Sequence, residues 1–224
     1  MGDATGVQKE AMKKYEYVLF DWDGCLAKTL DIWLAAYKEV FAEYNLYPED
    51  KIIIQQLWGD WQGARKLGID NIEEYNKKLL IALNKKYPSL EFYDHALDVL
   101  RALKKRTKML ALITSSKRET VLPVLNHHGL IPFFETIFTA EDVTKHKPDP
   151  EVIFKTLTAL HADKAASILV GDSRGDIEGA RNAGIDSVLF YPKHNEPFYD
   201  KEALLAYEPT HVIDDLNKLL DIIT

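Results

Sequence analysis

Asp21 and Asp23 stand two residues apart at the end of a short apolar run, Tyr17-Val18-Leu19-Phe20, with Gly24 directly behind them. In an extended chain, alternation puts both carboxylates on one side, where like charges repel. A divalent cation relieves that repulsion, and hard oxygen donors with room for water suit magnesium. Gly24 permits a sharp turn away from the strand. The same four residues also read as an acidic turn capping the next element. A second acidic strand end follows in Val170-Gly171-Asp172-Ser173-Arg174-Gly175-Asp176. Asp172 falls at the tip of that run and Asp176 at the start of a helical pattern, which by itself is also the pattern of a helix N-cap. Parallel strands share a carboxyl edge, so two acidic tips on one sheet point to a metal site rather than to two unrelated caps.

Two further segments lie between them. Ile113-Thr114-Ser115-Ser116 ends another apolar run and offers hydroxyls and backbone N–H groups near a helix start, the chemistry of a phosphate cradle or of an ordinary helix cap. His146-Lys147-Pro148-Asp149-Pro150 holds Lys147 in a stiff, proline-bounded loop, although most lysines are solvated surface. Cys25 has no identifiable activating histidine and is a poor nucleophile by sequence. The seven histidines show no zinc-type spacing, and His127-His128 reads as a polar helix terminus.

These residues need elements to position them. Buried-strand runs recur at 17–20, 109–113, 167–170 and 187–190, each continuous enough to be covered on both faces. Helical patterns alternate with them. One runs from Asp94, read as its cap, through Leu97, Leu100 and Leu103 to a basic end at Lys104-Lys105-Arg106. Another places Ile177, Ala180 and Ala183 on one face and stops at Gly184. The alternation predicts an α/β fold, a doubly wound, mainly parallel, Rossmann-like sheet. Residues 31–93 depart from it. They contain no convincing buried strand, and Trp33, Ala36, Tyr37, Val40, Phe41 and Tyr44 form a helical stripe; Ile52-Ile53-Ile54 reads as part of a short helix. This predicts an all-helical cap domain, 31–93, inserted into a core of 1–30 and 94–224.

The 224 residues suffice for such a core, and a net charge of -7 gives no general basic field for nucleic acid or anionic membrane. One cysteine excludes an internal disulfide and fits a reducing compartment. No apolar run approaches the ~20 residues of a membrane span, and the first fourteen residues lack an apolar leader core. The expectation is a cytoplasmic protein without membrane or nucleic-acid partners.

In this order and context, Asp21-x-Asp23-Gly24, Thr114, Lys147-Pro148 and Gly171-Asp172-x-x-x-Asp176 resemble the haloacid dehalogenase-like superfamily, in particular its phosphoglycolate phosphatase and beta-phosphoglucomutase-like branch with a helical cap. The resemblance runs from about Tyr15 onward. It implies a magnesium-dependent phosphatase acting on a small phosphorylated metabolite, phosphoglycolate-like or a sugar phosphate. By the same resemblance Asp21 is the phosphorylated nucleophile and Asp23 the acid and base. Thr114, Ser115 and neighbouring N–H groups hold phosphate, and Lys147 neutralises charge. Asp21, the Asp23 carbonyl and Asp172 bind magnesium, with Gly24 and Asp176 in support. Cys25 and Lys28 depart from the usual pattern at positions outside the catalytic set. A sugar phosphomutase is the nearest rival and a non-catalytic phosphate-binding protein a further one. Asp23 argues against a dehalogenase, which as a class lacks that residue. In the helical segment, Trp58, Trp61, Arg65 and Lys66 form an aromatic-basic cluster that reads either as a contact for an anionic or ring-bearing leaving group or as packing with exposed charges. Arg118 and Arg174 are core residues within possible reach of a substrate.

Overall fold

The computed structural model describes residues 14–107 and 109–223, so the leader expectation falls almost wholly outside the described residues. Six parallel strands form the main sheet: β1 (Tyr17–Phe20), β4 (Met109–Ile113), β5 (Thr136–Phe138), β6 (Ser167–Gly171), β7 (Asp186–Phe190) and β8 (His211–Ile213), in the order β5-β4-β1-β6-β7-β8. β1 is central, in register with β4 on one side and β6 on the other, so Phe20 lies level with Leu112 and Val170. This levels three of the chemistry-bearing strand ends on a single edge.

Period-two alternation divides the strand residues between two separate cores. Val18, Phe20, Leu110, Leu112, Ile168 and Val170 join one apolar cluster, and Tyr17, Leu19, Ala111, Ile113 and Leu169 join another. The first is covered by α4 (Ala96–Arg106) through Val99, Leu100 and Leu103, and by α5 (Arg118–His127) through Val121 and Leu125. The second is covered by α6 (Glu151–Leu160) and α7 (Arg174–Ala183) through Ile153, Leu157, Ala180 and Ala183. Helices on both faces of a parallel sheet make the doubly wound α/β architecture that the alternation predicts. α7 ends as expected, with Gly184 left-handed at φ 74°. α4 does not begin as expected. His95, left-handed at φ 65°, occupies the N-cap, while Asp94 stays exposed and pairs loosely with Lys28 at 3.8 Å. The expectation assigned the cap one residue too early.

Between β1 and β4 the chain forms α1 (Leu30–Glu43), α2 (Asp50–Leu57) and α3 (Ile72–Lys86). α1 buries Trp33, Ala36, Tyr37, Val40 and Phe41, five of the six residues of the predicted stripe, against Tyr75, Leu79 and Leu83 of α3, while Tyr44 is the half-buried C-cap. The ion pairs Lys78–Glu43 (2.9 Å) and Lys86–Glu39 (2.8 Å) rim that contact. A two-residue antiparallel ribbon, β2 (Ala27–Lys28) with β3 (Glu91–Phe92), joins the two ends of this segment. It is too short to carry a periodic signal in the sequence. The short α8 (Lys201–Leu205) and α9 (Leu219–Ile222) complete the chain. Among the described residues no helix is long and apolar enough to cross a membrane.

Candidate active site

β1 ends by handing the Asp21 N–H to the Val170 carbonyl of β6 at 2.9 Å, which fixes Asp21 at the sheet edge beside the β6 tip. The Lys147 loop arrives from the other side. Its Nζ donates to Asp21 Oδ1 at 2.7 Å and to Asp176 Oδ1 at 2.6 Å, and the three side chains are 7%, 9% and 0% exposed. Burial alone would push the Lys147 pKa down; Asp176 and Asp21 on either side more than reverse that, so the ammonium is held charged. Asp176 Oδ2 meanwhile accepts from the N–H (3.1 Å) and hydroxyl (2.6 Å) of Ser173, closing a capping box at the start of α7. One carboxylate therefore caps a helix and anchors the lysine. At Gly171 an added Cβ would fall 2.3 Å from Asp176 Cγ, so this packing demands glycine there.

Asp21, Asp172 and Asp176 have carboxylate oxygens within 4.8 Å of one another, all buried. Three carboxylates against one ammonium leave the cluster short of positive charge. Burial first, and then Asp176, push Asp21 up to about 8, with Lys147 pulling the other way. Burial, then Asp21 and Asp176, push Asp172 well above the usual carboxylate range. Asp172 Oδ1 is buried without a hydrogen-bond partner. An orphaned carboxylate oxygen facing two like charges is what a bound cation would satisfy, and the all-oxygen donor set fits a hard divalent ion. Gly24, at φ +75°, turns the chain close over this point; a Cβ on it would sit 2.0 Å from Asp172 Oδ2.

Asp23 is held differently. Its Oδ1 accepts from Thr29 Oγ1 (2.8 Å), Trp33 Nε1 (2.8 Å) and Tyr87 OH (3.2 Å), and its Oδ2 from Ser116 Oγ (2.5 Å) and Thr114 Oγ1 (3.4 Å). Two of these donors, Trp33 and Tyr87, belong to the helical segment. Thr114 also accepts from the Ser116 N–H at 3.0 Å, which curls the β4–α5 turn; Ser115 and Ser116 line the cavity beside Asp21 and Asp23.

That cavity measures about 760 Å³ and lies between the carboxyl edge and the helical segment. Trp61 and Trp58 both line it. Trp61 Nε1 donates to the Ser115 carbonyl at 2.9 Å, and the Trp58 ring lies 5.5 Å from those of Phe198 and Tyr199. Lys66 lines it too, paired with Asp60 at 3.0 Å, as does Arg174, paired with Glu178 at 2.7 Å. Two residues read as within reach of a substrate are not. Arg65 is exposed and turned back to Gln62 and the Asp70 carbonyl, because the 3₁₀ turn carrying it points the side chain away from the sheet. Arg118, the first residue of α5, donates to both Asp142 oxygens at 2.6 Å and lines a separate open groove rather than the chamber. Cys25 is fully buried, its thiol pushed up by burial and then by Asp21.

Sequence reasoning missed the donors that hold Asp23 from the helical side, and it missed Asn195. Trp33 is legible as core but not as a donor, since periodicity reports a face and not an indole N–H. Asn195 is fully buried; its Nδ2 donates to the Gly24 carbonyl at 2.9 Å and lies 3.4 Å from Asp172 Oδ2, while Tyr93 donates to its Oδ1. No motif surrounds it in the chain.

A parallel sheet with two acidic strand tips, a lysine joining the first of them to the Asp176 helix start, and a chamber above defines a hydrolase of the phosphatase type. The chain belongs to the haloacid dehalogenase-like hydrolase family, which it matches over residues 18–190. It is 30% identical over 217 residues to pyrophosphatase PpaX of Halalkalibacterium halodurans, covering 92% of this chain and 95% of that one. Among solved structures, a protein provisionally described as a phosphoglycolate phosphatase from Lactobacillus plantarum shares the fold with a TM-score of 0.82 at 19% identity, over 94% of this chain and 100% of that one. One provisionally described as a beta-phosphoglucomutase from Thermotoga maritima matches with a TM-score of 0.71 at 25% identity, over 92% and 97%.

Proposed function

We propose that the chain is a magnesium-dependent phosphatase of small-molecule phosphate monoesters that works through an aspartyl-phosphate on Asp21. The observation that carries this reading is Lys147 set between Asp21 and Asp176 beside the orphaned Asp172 oxygen. A phosphate dianion is repelled by a carboxylate unless positive charge surrounds both; Lys147 supplies part of that charge, and a cation at the Asp172 oxygen would supply the rest. Lys147 engages Asp21 Oδ1, leaving Oδ2 without a hydrogen bond among the described residues and free to attack phosphorus. The P–O bond to the leaving group breaks as the new bond to Asp21 forms, and Asp23 gives its proton to the departing oxygen. Asp23 then takes a proton from water, whose oxygen attacks the phosphorus; phosphate leaves and Asp21 is restored. Magnesium, held by Asp21, Asp172 and the Asp23 carbonyl, would supply charge stabilisation for the transferring phosphoryl group. Ser115, Ser116 and Thr114, with the N–H groups of their turn, would hold its oxygens.

Residues 31–93 act in this reading as a cap on the core formed by 1–30 and 94–224. Their link to the chemistry is Asp23. A carboxyl group accepting five hydrogen bonds can donate a proton only by releasing some of them. Since Trp33 and Tyr87 come from the cap, movement of that segment would set when Asp23 acts. Phosphate release by the purified protein, with and without magnesium, tests the proposal. Turnover should need the ion and vanish in Asp21→Asn; turnover that persists in that variant overturns the covalent route.

A further inference from the structure

We infer that the monoester this site takes has a leaving group bearing a flat, uncharged ring, and that neither a carboxylate nor a second phosphoryl group fits there. The inference rests on the phosphatase reading and adds what lies beyond the phosphorus. A chamber of about 760 Å³ falls within the roughly 300–1,000 Å³ of sites that enclose drug-sized ligands, far more than a two-carbon acid requires. Its walls are aromatic from both sides: Trp33, Trp58 and Trp61 on the helical segment, Phe198, Tyr199 and Tyr207 on the stretch after β7. Two of these rings are fixed by their own hydrogen bonds, Trp33 to Asp23 and Trp61 to the Ser115 carbonyl, so they stand pre-set at the phosphoryl end. Trp58 packs on Phe198 and Tyr199 and joins the two sides into one apolar surface.

Charge excludes the alternatives. A leaving group with its own anion needs a cation to meet it, and every cation lining the chamber is engaged. Lys147 is spent between Asp21 and Asp176, Lys66 is paired with Asp60, and Arg174 is paired with Glu178. The lining also carries Asp200 away from the metal cluster, which further repels a second negative group. Aromatic faces without a free cation select a neutral ring, which stacks on them without bringing a charge that needs a partner.

The test compares kcat/KM, in magnesium, for benzyl phosphate, phosphoglycolate, inorganic pyrophosphate and acetyl phosphate, the last an activated acyl phosphate without a ring. Benzyl phosphate should exceed phosphoglycolate and pyrophosphate by about tenfold or more. Trp58→Ala and Phe198→Ala, both at half-buried positions, should each lower the ratio of benzyl to acetyl phosphate turnover by about three- to tenfold. If acetyl phosphate is cleaved in an Asp21-dependent way, while phosphoglycolate or pyrophosphate equals benzyl phosphate or neither variant moves the ratio, the ring preference falls and the phosphatase reading stands. If none of the four substrates is cleaved, or Asp21→Asn cleaves acetyl phosphate as well as the parent, both fall together.

Discussion

The sheet edge and the helical segment facing it solve opposite problems. At the edge, four ionisable side chains are packed almost without solvent, and among the described residues only Asp21 Oδ2 and Asp172 Oδ1 are left without a hydrogen bond. Across the chamber, rings meet rings at 5–6 Å and the charges are paired off among themselves. The edge gains strength from burial, because low dielectric magnifies Coulomb terms. The opposite wall gains selectivity from area and shape. Chemistry of this kind tolerates little change in residue type, while recognition can be rebuilt from many aromatic arrangements. The two regions meet at Asp23, whose donors come from both.

The largest expected effect separates the regions at the edge. Lys147→Met leaves Asp21 and Asp176 buried with no cation between them. Removing one partner of a buried pair costs about 3–5 kcal/mol, and losing a stabilising charge at the phosphoryl group lowers kcat by about 10²–10³-fold. Thermal melts and phosphate release should both register it, with magnesium present. A variant of near-normal stability and activity would remove Lys147 from the centre of the site.

Next comes the link between protons and metal. Asp21, at about 8, and Asp172, higher than usual, are raised carboxyls, so in the metal-free protein they hold protons that the unfolded chain gives up near pH 4. For raised acids the native state binds more protons than the unfolded one, and stability without metal therefore falls as pH rises from about 4 through 8. A cation competes with those same protons. Magnesium affinity, read by calorimetry, should drop by about tenfold per pH unit below pH 8 until other groups take over. Flat affinity between pH 6 and 8 would mean the cluster is already ionised without the metal.

Trp33→Phe sharpens the comparison where the regions join. The ring is kept and the packing on Tyr37 and Trp61 survives, but Asp23 loses a 2.8 Å donor. Removing one donor to a charged group amounts to about 1.5–3 kcal/mol at most, and in this network the remaining four soften the loss. We expect kcat to fall by about three- to tenfold with KM nearly constant, since the donor acts on the residue that handles the proton and not on substrate binding. A rise in KM with kcat unchanged would reduce Trp33 to a piece of wall.

The same contrast explains what could be read without coordinates. Buried parallel strands announce themselves as continuous apolar runs, so β1, β4, β6 and β7 are legible, and with them the edge where Asp21 and Asp172 meet. β5, with its half-buried Thr136-Ile137-Phe138, and β8, with an exposed Val212, lie at the sheet's margins and give weaker patterns. Ordered short motifs brought the edge residues forward. Nothing comparable marks Phe198, Tyr199 or Asn195, because loops after β7 reach the site through tertiary packing alone. Arg65 and Lys66 show the limit most plainly. They are adjacent in sequence, yet the turn carrying them leaves one lining the chamber and sends the other into solvent.

The smallest effect concerns how the Lys147 loop is held. Glu151, at the first turn of α6, accepts from the Thr144 N–H (3.1 Å) and hydroxyl (2.8 Å) and from the Lys145 N–H (2.9 Å), and pairs with Lys155 at 2.8 Å. Lys155, then the Thr144 contacts, hold its pKa down at about 2. A depressed carboxyl adds stability that is fully present above its unfolded value near 4.5 and is lost as pH falls through about 2. Glu151→Gln should therefore melt slightly below the parent by a constant margin from pH 5 to 8, and the two curves should converge between pH 4 and 2. Turnover should change less than twofold, since Lys147 keeps its two aspartates. A margin that persists at pH 2 would show that shape at this helix start, not charge, holds the loop, and would place the loop with the packed wall rather than with the electrostatic edge.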